Sequence, residues 1–237
     1  MSHILIGLAL CAGILLYPGA LTLLAASFLL ALAASPSRWS SSWSWGDPGR
    51  MLVPAALGSL AVVPLPWPGS PLRALSVGGL TQVGIGGLAL TLLGLLGLDL
   101  LIAEERPHRH IRVLVSATSL AAILILAEVL AAPDWTTLLA TPGPGAEAGR
   151  VGLGLICLLA APWAAGPDPG VEPIEACAWA ARMSVALFLV FPQVGGLPVW
   201  EGMGAWLLVS LLLGGLWGGG RRLLSRGPQT GLDRSRW

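Results

Sequence analysis

Four ionisable residues lie inside or at the edge of long apolar runs of this sequence: Asp99, Glu128, Glu175 and Arg182. A charge surrounded by hydrocarbon costs about 3 kcal/mol or more, so each of these side chains is expected to face protein or water. Acidic side chains in such positions can hold a proton or pair with a buried cation. The pattern predicts a small polar site inside an otherwise apolar protein.

The depth of these residues along their helices decides which of them can meet. At 1.5 Å per residue, Arg182 lies about 9 Å and Asp99 about 5 Å from the same end of the predicted bundle. We therefore expect a cluster of Asp99, Arg182 and Glu175, with Glu175 two turns from Arg182 on the same helix face. Glu128 lies roughly 15 Å from Arg182 along the bundle axis. It is expected to form a separate site, either a relay position or a polar contact to a partner.

A proline-rich acidic connection precedes Glu175. Residues 166–175 include Asp168 and Glu172 and no basic residue, which is unusual for a loop predicted to face the cytoplasm. We interpret Asp168 and Glu172 as a docking surface or cavity mouth. The alternative is a stiff turn with a solvated face.

The composition places the chain in a membrane. Of its 237 residues, 55% are hydrophobic and 11% are charged, whereas a soluble domain carries about 25% charge. The formal net charge of +1 provides no basic field for phosphates, so we expect no nucleic-acid partner. A helix that crosses lipid needs roughly 20 apolar residues, and this length allows about seven.

The apolar runs predict an all-α, polytopic transmembrane helix bundle of about seven spans. The predicted spans are 4–32, 51–63, 77–102, 111–132, 151–165, 176–194 and 202–219. The second and fifth are short for a crossing, and the first is expected to tilt or kink at Pro18. All thirteen basic residues are Arg. With the N-terminus outside, ten of them lie in inner segments, Arg73 and Arg150 lie in outer segments, and Arg182 lies inside the sixth span; this excess on the inner side supports the orientation. Residues 1–219 then form one membrane domain, and residues 220–237 form a basic cytoplasmic tail.

Other features of the sequence concern helix packing and the lack of a recognisable metal or catalytic site. Gly87, Thr91 and Gly94 share one face of the third span, as small residues do where helices approach closely. Trp67, Trp135 and Trp200 fall near predicted outer ends, where an aromatic belt is expected. The three cysteines are isolated and expected to be buried, and we predict no metal site. No nucleophile and base stand together, so no catalytic residue is assigned and we expect no enzyme activity of the chain by itself.

Two stretches resemble a known family of membrane subunits. Residues 15–20, Leu-Leu-Tyr-Pro-Gly-Ala, resemble the start of the quinone-chamber membrane subunit of respiratory complex I and of its relatives in energy-converting membrane-bound hydrogenases. In that family an acidic, proline-rich inner loop leads to a helix ending in Ala-Leu-Phe. Here Pro-Asp-Pro at 167–169, Glu-Pro-Ile-Glu at 172–175 and Ala-Leu-Phe at 186–188 stand in the same order.

The resemblance implies a non-redox membrane subunit that joins a redox arm to an ion-pumping arm. It implies that Asp168, Glu172 and Glu175 line the inner mouth of a proton path. Asp99 and Glu128 match no motif of the family and are assigned to the path only because of their depth in the predicted spans. The implied partners are membrane lipids, other membrane subunits and a cytoplasmic redox arm, and the implied location is the inner (plasma) membrane. We expect no cofactor bound by this chain and a quinone only at the level of the complex, since the family's Arg-x-Gly-Pro and Thr-Glu-Tyr-Ser motifs are missing.

Two alternatives stay open. The first is a small independent transporter, for which Pro18 and Pro162 would mark interrupted helices. The second is a non-catalytic anchor or assembly subunit of another respiratory or photosynthetic complex, which the small-residue helix faces fit equally well.

Overall fold

The computed structural model describes residues 2–34, 49–70, 84–105, 110–132, 134–160 and 173–225. Within these ranges the chain is helical throughout, apart from its turns, and contains no strand. The elements are, in chain order, α1 (Ser2–Leu15), α2 (Ala20–Ala34), α3 (Gly49–Val62), α4 (Gly84–Glu105), α5 (His110–Val129), α6 (Trp135–Ala140), α7 (Pro144–Ala160), α8 (Pro173–Val190), a 3₁₀ turn (Pro192–Gly196) and α9 (Val199–Ser225). The prediction of an all-α fold is confirmed for this part of the chain.

Each predicted span overlaps a helix or a pair of helices, but some boundaries were wrong. The first span is divided into α1 and α2 at residues 16–19, because Pro18 has no N–H to continue the helical hydrogen bonds. The fifth span begins seven residues earlier than predicted, at Pro144, where proline stands at the helix start and Glu147 in the first turn. The short helix α6 was not predicted. Helix α9 continues six residues into the segment assigned to the tail.

Two segments of the described chain are long and apolar enough to cross a membrane. They are Cys11–Leu30, which includes the break between α1 and α2, and Val199–Leu216 in α9. Shorter apolar helical stretches lie in α3, α4 and α5, at Leu52–Val62, Gly87–Ile102 and Ala117–Val129. This finding rests on length and composition alone.

Helix α8 forms the centre of the bundle. Every residue from Glu175 to Leu189 is buried except the half-buried Trp179. The helix packs against α2, α3, α4 and α7. Large apolar side chains instead cover the outside of the surrounding helices, and Leu52, Leu93 and Leu216 are 69%, 62% and 72% exposed. An apolar exterior around a buried centre suits lipid surroundings.

Helices α3 and α4 cross at the small-residue face predicted on the third span. A Cβ atom added at Gly94 would lie 2.5 Å from Leu57 O and 2.6 Å from Ala61 N. One at Gly97 would touch the Leu57 side chain at 3.0 Å. From Gly94 to Gly97 the contacts on α3 move back from Ala61 to Leu57 alone, so the two helices run in opposite directions. Gly94 therefore permits a backbone-to-backbone approach that no larger residue would allow.

Replacing Gly94 by alanine is expected to destabilise the protein by about 1–3 kcal/mol, because α3 and α4 must move apart to admit a methyl group. The measurement is the free energy of unfolding in mixed detergent micelles. Gly215→Ala in α9 is the matched control, since nothing lies within 4 Å of a Cβ built at Gly215. Equal losses for both variants would contradict the close crossing.

The end of α5 closes with a Schellman motif. Ala131 N donates to Glu128 O at 3.0 Å and Ala132 N donates to Ala127 O at 2.8 Å. Ala131 adopts a φ of 48°, the left-handed conformation that favours glycine.

Ala131→Gly is therefore expected to stabilise the protein by about 0.5–1 kcal/mol, because the native backbone at this position strains a Cβ atom. Ala121→Gly, at an exposed position inside the same helix, should lower stability by a similar amount. Thermal unfolding of the two variants in one detergent tests this opposite sign, and a loss of stability in both would refute it.

The segment after α3 folds into the bundle. Val63, Leu65, Trp67 and Ser70 are buried, with Trp67 fully so. Tyr17 Oη, at the break between α1 and α2, donates to Pro68 O at 2.8 Å. The predicted interfacial positions of Trp67 and Trp135 were wrong, since both side chains are buried; Trp200 is 71% exposed.

Candidate functional site: a buried ion pair between two helices

Asp99 of α4 and Arg182 of α8 form an ion pair inside the bundle. Arg182 Nη2 donates to Asp99 Oδ2, and the two residues are 2% and 0% exposed. They are 83 positions apart in the sequence. The structure therefore brings together the two charges that the depth argument expected to meet.

The helices hold the pair far from either end. Arg182 stands nine residues after the start of α8, about 13 Å along its axis, and Asp99 stands six residues before the end of α4, about 9 Å. Leu95, Leu98 and Ile102 are buried around Asp99 on α4. The low dielectric of these surroundings strengthens the attraction between the charges and makes either one costly alone.

Glu175 is the second buried acid of α8. It is 6% exposed and lies in the first turn, where the helix dipole favours a negative charge. Seven residues, or about 10 Å along the axis, separate it from Arg182. Glu175 and Arg182 thus lie on the same buried helix, about two turns apart.

Two cysteines line the same region. Cys157 of α7 is 1% exposed and lies close enough to Arg182 to interact with its charge. Cys177 of α8 is fully buried, with Sγ 3.5 Å from Pro54 O of α3. The expectation that all three cysteines are buried was wrong for Cys11, which is exposed on α1, a helix that packs mainly on α2 and α3.

The other predicted site residues do not join the pair. Glu128 is exposed in the last turn of α5, so its side chain lies on the surface of the bundle. Asp168 and Glu172 lie outside the described residues. No group of three or more His, Cys, Asp and Glu side chains that could hold a metal occurs among the residues that were described.

Arg150 is a buried charge that the sequence reasoning missed. It was counted as an outer-loop residue, but it is 5% exposed on α7. Its Nη1 donates to Leu138 O at 3.1 Å and to Thr141 O at 2.7 Å. The guanidinium of Arg150 therefore caps the carboxyl end of α6, where a positive charge is favourable. The proline and acidic residue at the start of α7 were the signal that could have placed it inside a helix.

The ion pair combines a group that changes protonation with one that does not. A guanidinium stays protonated, whereas a carboxylate can accept a proton when its cation is displaced. Removing either partner would leave the other charge buried and uncompensated, which is costly.

Comparisons with known proteins do not extend this description. No protein-family model matches the chain, and no curated protein or solved structure is significantly similar to it.

Proposed function

We propose that the chain is a non-redox membrane subunit of a complex-I-like or energy-converting hydrogenase-like assembly, in which it joins the redox arm to the ion-pumping arm. The observation that carries the proposal is the buried ion pair of Asp99 and Arg182. A charge pair at this depth is costly to maintain, and in membrane helices such pairs mark proton or ion pathways. The resemblance at residues 15–20 and 167–188 names the class of assembly.

In this proposal the chain crosses the inner membrane seven times, with its N-terminus outside and its C-terminus inside. The apolar exterior of α3, α4, α5 and α9 and the excess of Arg in the inner segments support this arrangement. Reporter fusions placed after each of the seven proposed spans test it. The reporter signal is expected to alternate from one span to the next. Two consecutive fusions on the same side would show that the span between them does not cross the membrane.

Within the assembly, Asp99, Arg182 and Glu175 line a proton path. Glu175 receives the proton at the inner mouth, with Asp168 and Glu172, and Asp99 holds it next to Arg182. Glu128, on the bundle surface, contacts a neighbouring subunit. Any quinone binds at the level of the complex and not to this chain.

Purification from native membranes in mild detergent, followed by mass spectrometry, tests the assignment. Antiporter-like or hydrogenase-like subunits are expected to accompany the chain. Isolation of the chain without either class would overturn the proposal. Glu128→Gln provides a useful comparison, because loss of subunits in this variant alone would locate the contact.

A small independent transporter is the second candidate, favoured by the divided first span. The half-helices α1 and α2 meet at buried Pro18 and Gly19, and discontinuous helices commonly form transport sites. Substrate-dependent flux into liposomes that contain only this chain would favour this candidate over the first.

A further inference from the structure

Helix α8 has almost no surface of its own towards lipid. Every residue from Glu175 to Leu189 is buried except the half-buried Trp179. The helix packs against α2, α3, α4 and α7, all of which precede it in the chain. Because a chain is synthesised from its N-terminus, the helices that enclose α8 are made before it.

The sequence of α8 is poorly suited to lipid. The helix carries Glu175 in its first turn and Arg182 near its middle, and four of the six residues between them are alanine. Arginine is among the least favourable residues at the centre of a helix that enters lipid. By contrast, Val199–Leu216 of α9 is long and apolar enough to cross a membrane. Helix α8 therefore depends on protein neighbours for a favourable place inside the membrane.

The two charges of the ion pair differ in whether they can be neutralised. Asp99 belongs to α4 and precedes Arg182 by 83 positions. A carboxyl group can enter an apolar environment as a neutral acid, whereas a guanidinium keeps its charge. Asp99 also stands within the apolar stretch Gly87–Ile102 of α4. The acid can thus be placed in the membrane first, while the arginine needs an anion that is already there.

Helix α9 follows α8 in the chain and packs over it. The fully buried Trp206 of α9 donates from Nε1 to Ser184 Oγ of α8 at 2.9 Å. Helix α9 packs mainly against α2, from the beginning of the chain, and also contacts α8. The contacts therefore fit an order in which α8 is seated on the earlier helices before α9 covers it.

We propose that α8 enters the membrane only against the helices that precede it, and that Asp99 is the positioning residue that admits Arg182. The ion pair is then a device for assembling the chain itself, separate from any role in proton movement. This inference rests on the membrane placement in the proposed function and not on the partner subunits.

A thiol in the connection between α8 and α9 reports whether α8 has crossed. Gln193 is exposed in the 3₁₀ turn that follows α8, so Gln193→Cys places a thiol there. The native thiols are removed by Cys11→Ser, Cys157→Ala and Cys177→Ala, and the resulting full chain is the reference chain. It is translated in vitro with inside-out vesicles of a bacterial inner membrane. A membrane-impermeant maleimide is added before or after the vesicles are opened.

In the reference chain the thiol is expected to lie inside the vesicle and to react only after opening. Asp99→Leu should raise the fraction that reacts before opening by at least about fivefold, because Arg182 then enters without its anion. Hydrophobicity alone predicts no such loss, since leucine makes α4 more apolar. Adding Arg182→Met to Asp99→Leu should restore the protection, because no charge is then left without a partner.

Trp67→Ala separates insertion from a general loss of stability. This change removes the ring that packs against Phe188 of α8 but leaves the ion pair, so the thiol should stay as protected as in the reference chain. Equal losses of protection in Trp67→Ala and Asp99→Leu would overturn the proposal. Unchanged protection in Asp99→Leu, or no recovery in the double variant, would do the same.

The reference chain distinguishes a failure of this inference from a failure of the proposed function. If its thiol reacts before opening, the membrane placement is wrong and the inference fails with it. If the thiol is protected in the reference chain and in Asp99→Leu alike, only the inference fails. A protease site inserted after the exposed Gly196, in the chain with its native cysteines, provides a second measurement of the same difference. Partner subunits take no part in either assay, so failed co-purification would leave the result standing.

Discussion

Asp99→Asn is expected to lower the free energy of unfolding by about 3–5 kcal/mol, because it leaves Arg182 charged and buried without its anion. Arg182→Met should cost a similar amount, since it leaves a buried carboxylate among leucines. Both residues are nearly inaccessible to solvent, so water cannot replace the lost partner without opening the bundle. Denaturant titration in mixed micelles measures the loss.

A double variant separates the role of the pair from that of each charge. Asp99→Leu combined with Arg182→Met removes both charges and is expected to recover most of the stability lost in the single variants. Glu128→Gln is the exposed control and should change stability by no more than about 0.5 kcal/mol. If Asp99→Asn costs no more than this control, the two charges are not held in a dry site.

The double variant also distinguishes stability from function. A folded double variant that still assembles but no longer supports proton translocation by the complex would assign the pair a functional role. Full translocation by the same variant would leave the pair a purely structural one. The comparison is informative because the stability of the double variant is expected to be close to that of the unmodified chain.

Trp67→Ala is expected to destabilise the protein by about 3–5 kcal/mol, because it leaves a large cavity where α8 and α9 meet the break between α1 and α2. The Trp67 ring packs edge-on against Phe188 and Trp206, at centroid distances of 5.0 and 5.4 Å. Tyr17 lies at 6.1 Å, and the indole N–H donates to Val62 O at 3.0 Å. Each edge-to-face contact adds about 0.5–1.5 kcal/mol beyond the buried area.

Trp200→Ala is the matched control for this prediction. Trp200 is 71% exposed, so its loss should change the stability measured in detergent by about 0.5 kcal/mol or less. Thermal unfolding of both variants, monitored by circular dichroism, provides the comparison. Similar effects for Trp67 and Trp200 would mean that Trp67 also lies at the periphery.

The contact between Asp99 and Arg182 could be predicted because so few charges occur in the apolar runs. With Asp99 and Arg182 at similar depths on two spans, the cost of an unpaired charge left few alternatives to pairing. The same reasoning did not find Arg150. In the sequence Arg150 follows a stretch rich in glycine and proline at 142–149, most of which belongs to α7. Its partners are the backbone carbonyls of Leu138 and Thr141, which no side-chain pattern reveals.

The sequence by itself determined the all-α class, the approximate position of every described helix except α6 and the pairing of the two deepest opposite charges. These depend on local composition, on proline and on the cost of burying charge, all of which can be read along the chain. Tertiary structure alone decided that Trp67 lies in the core and that Tyr17 reaches Pro68 across 51 positions. It also decided that α8 lies at the centre of the bundle, packed against α2, α3, α4 and α7. An apolar side chain gains similarly from lipid and from a protein interior, so hydrophobicity alone could not distinguish the centre of the bundle from its surface.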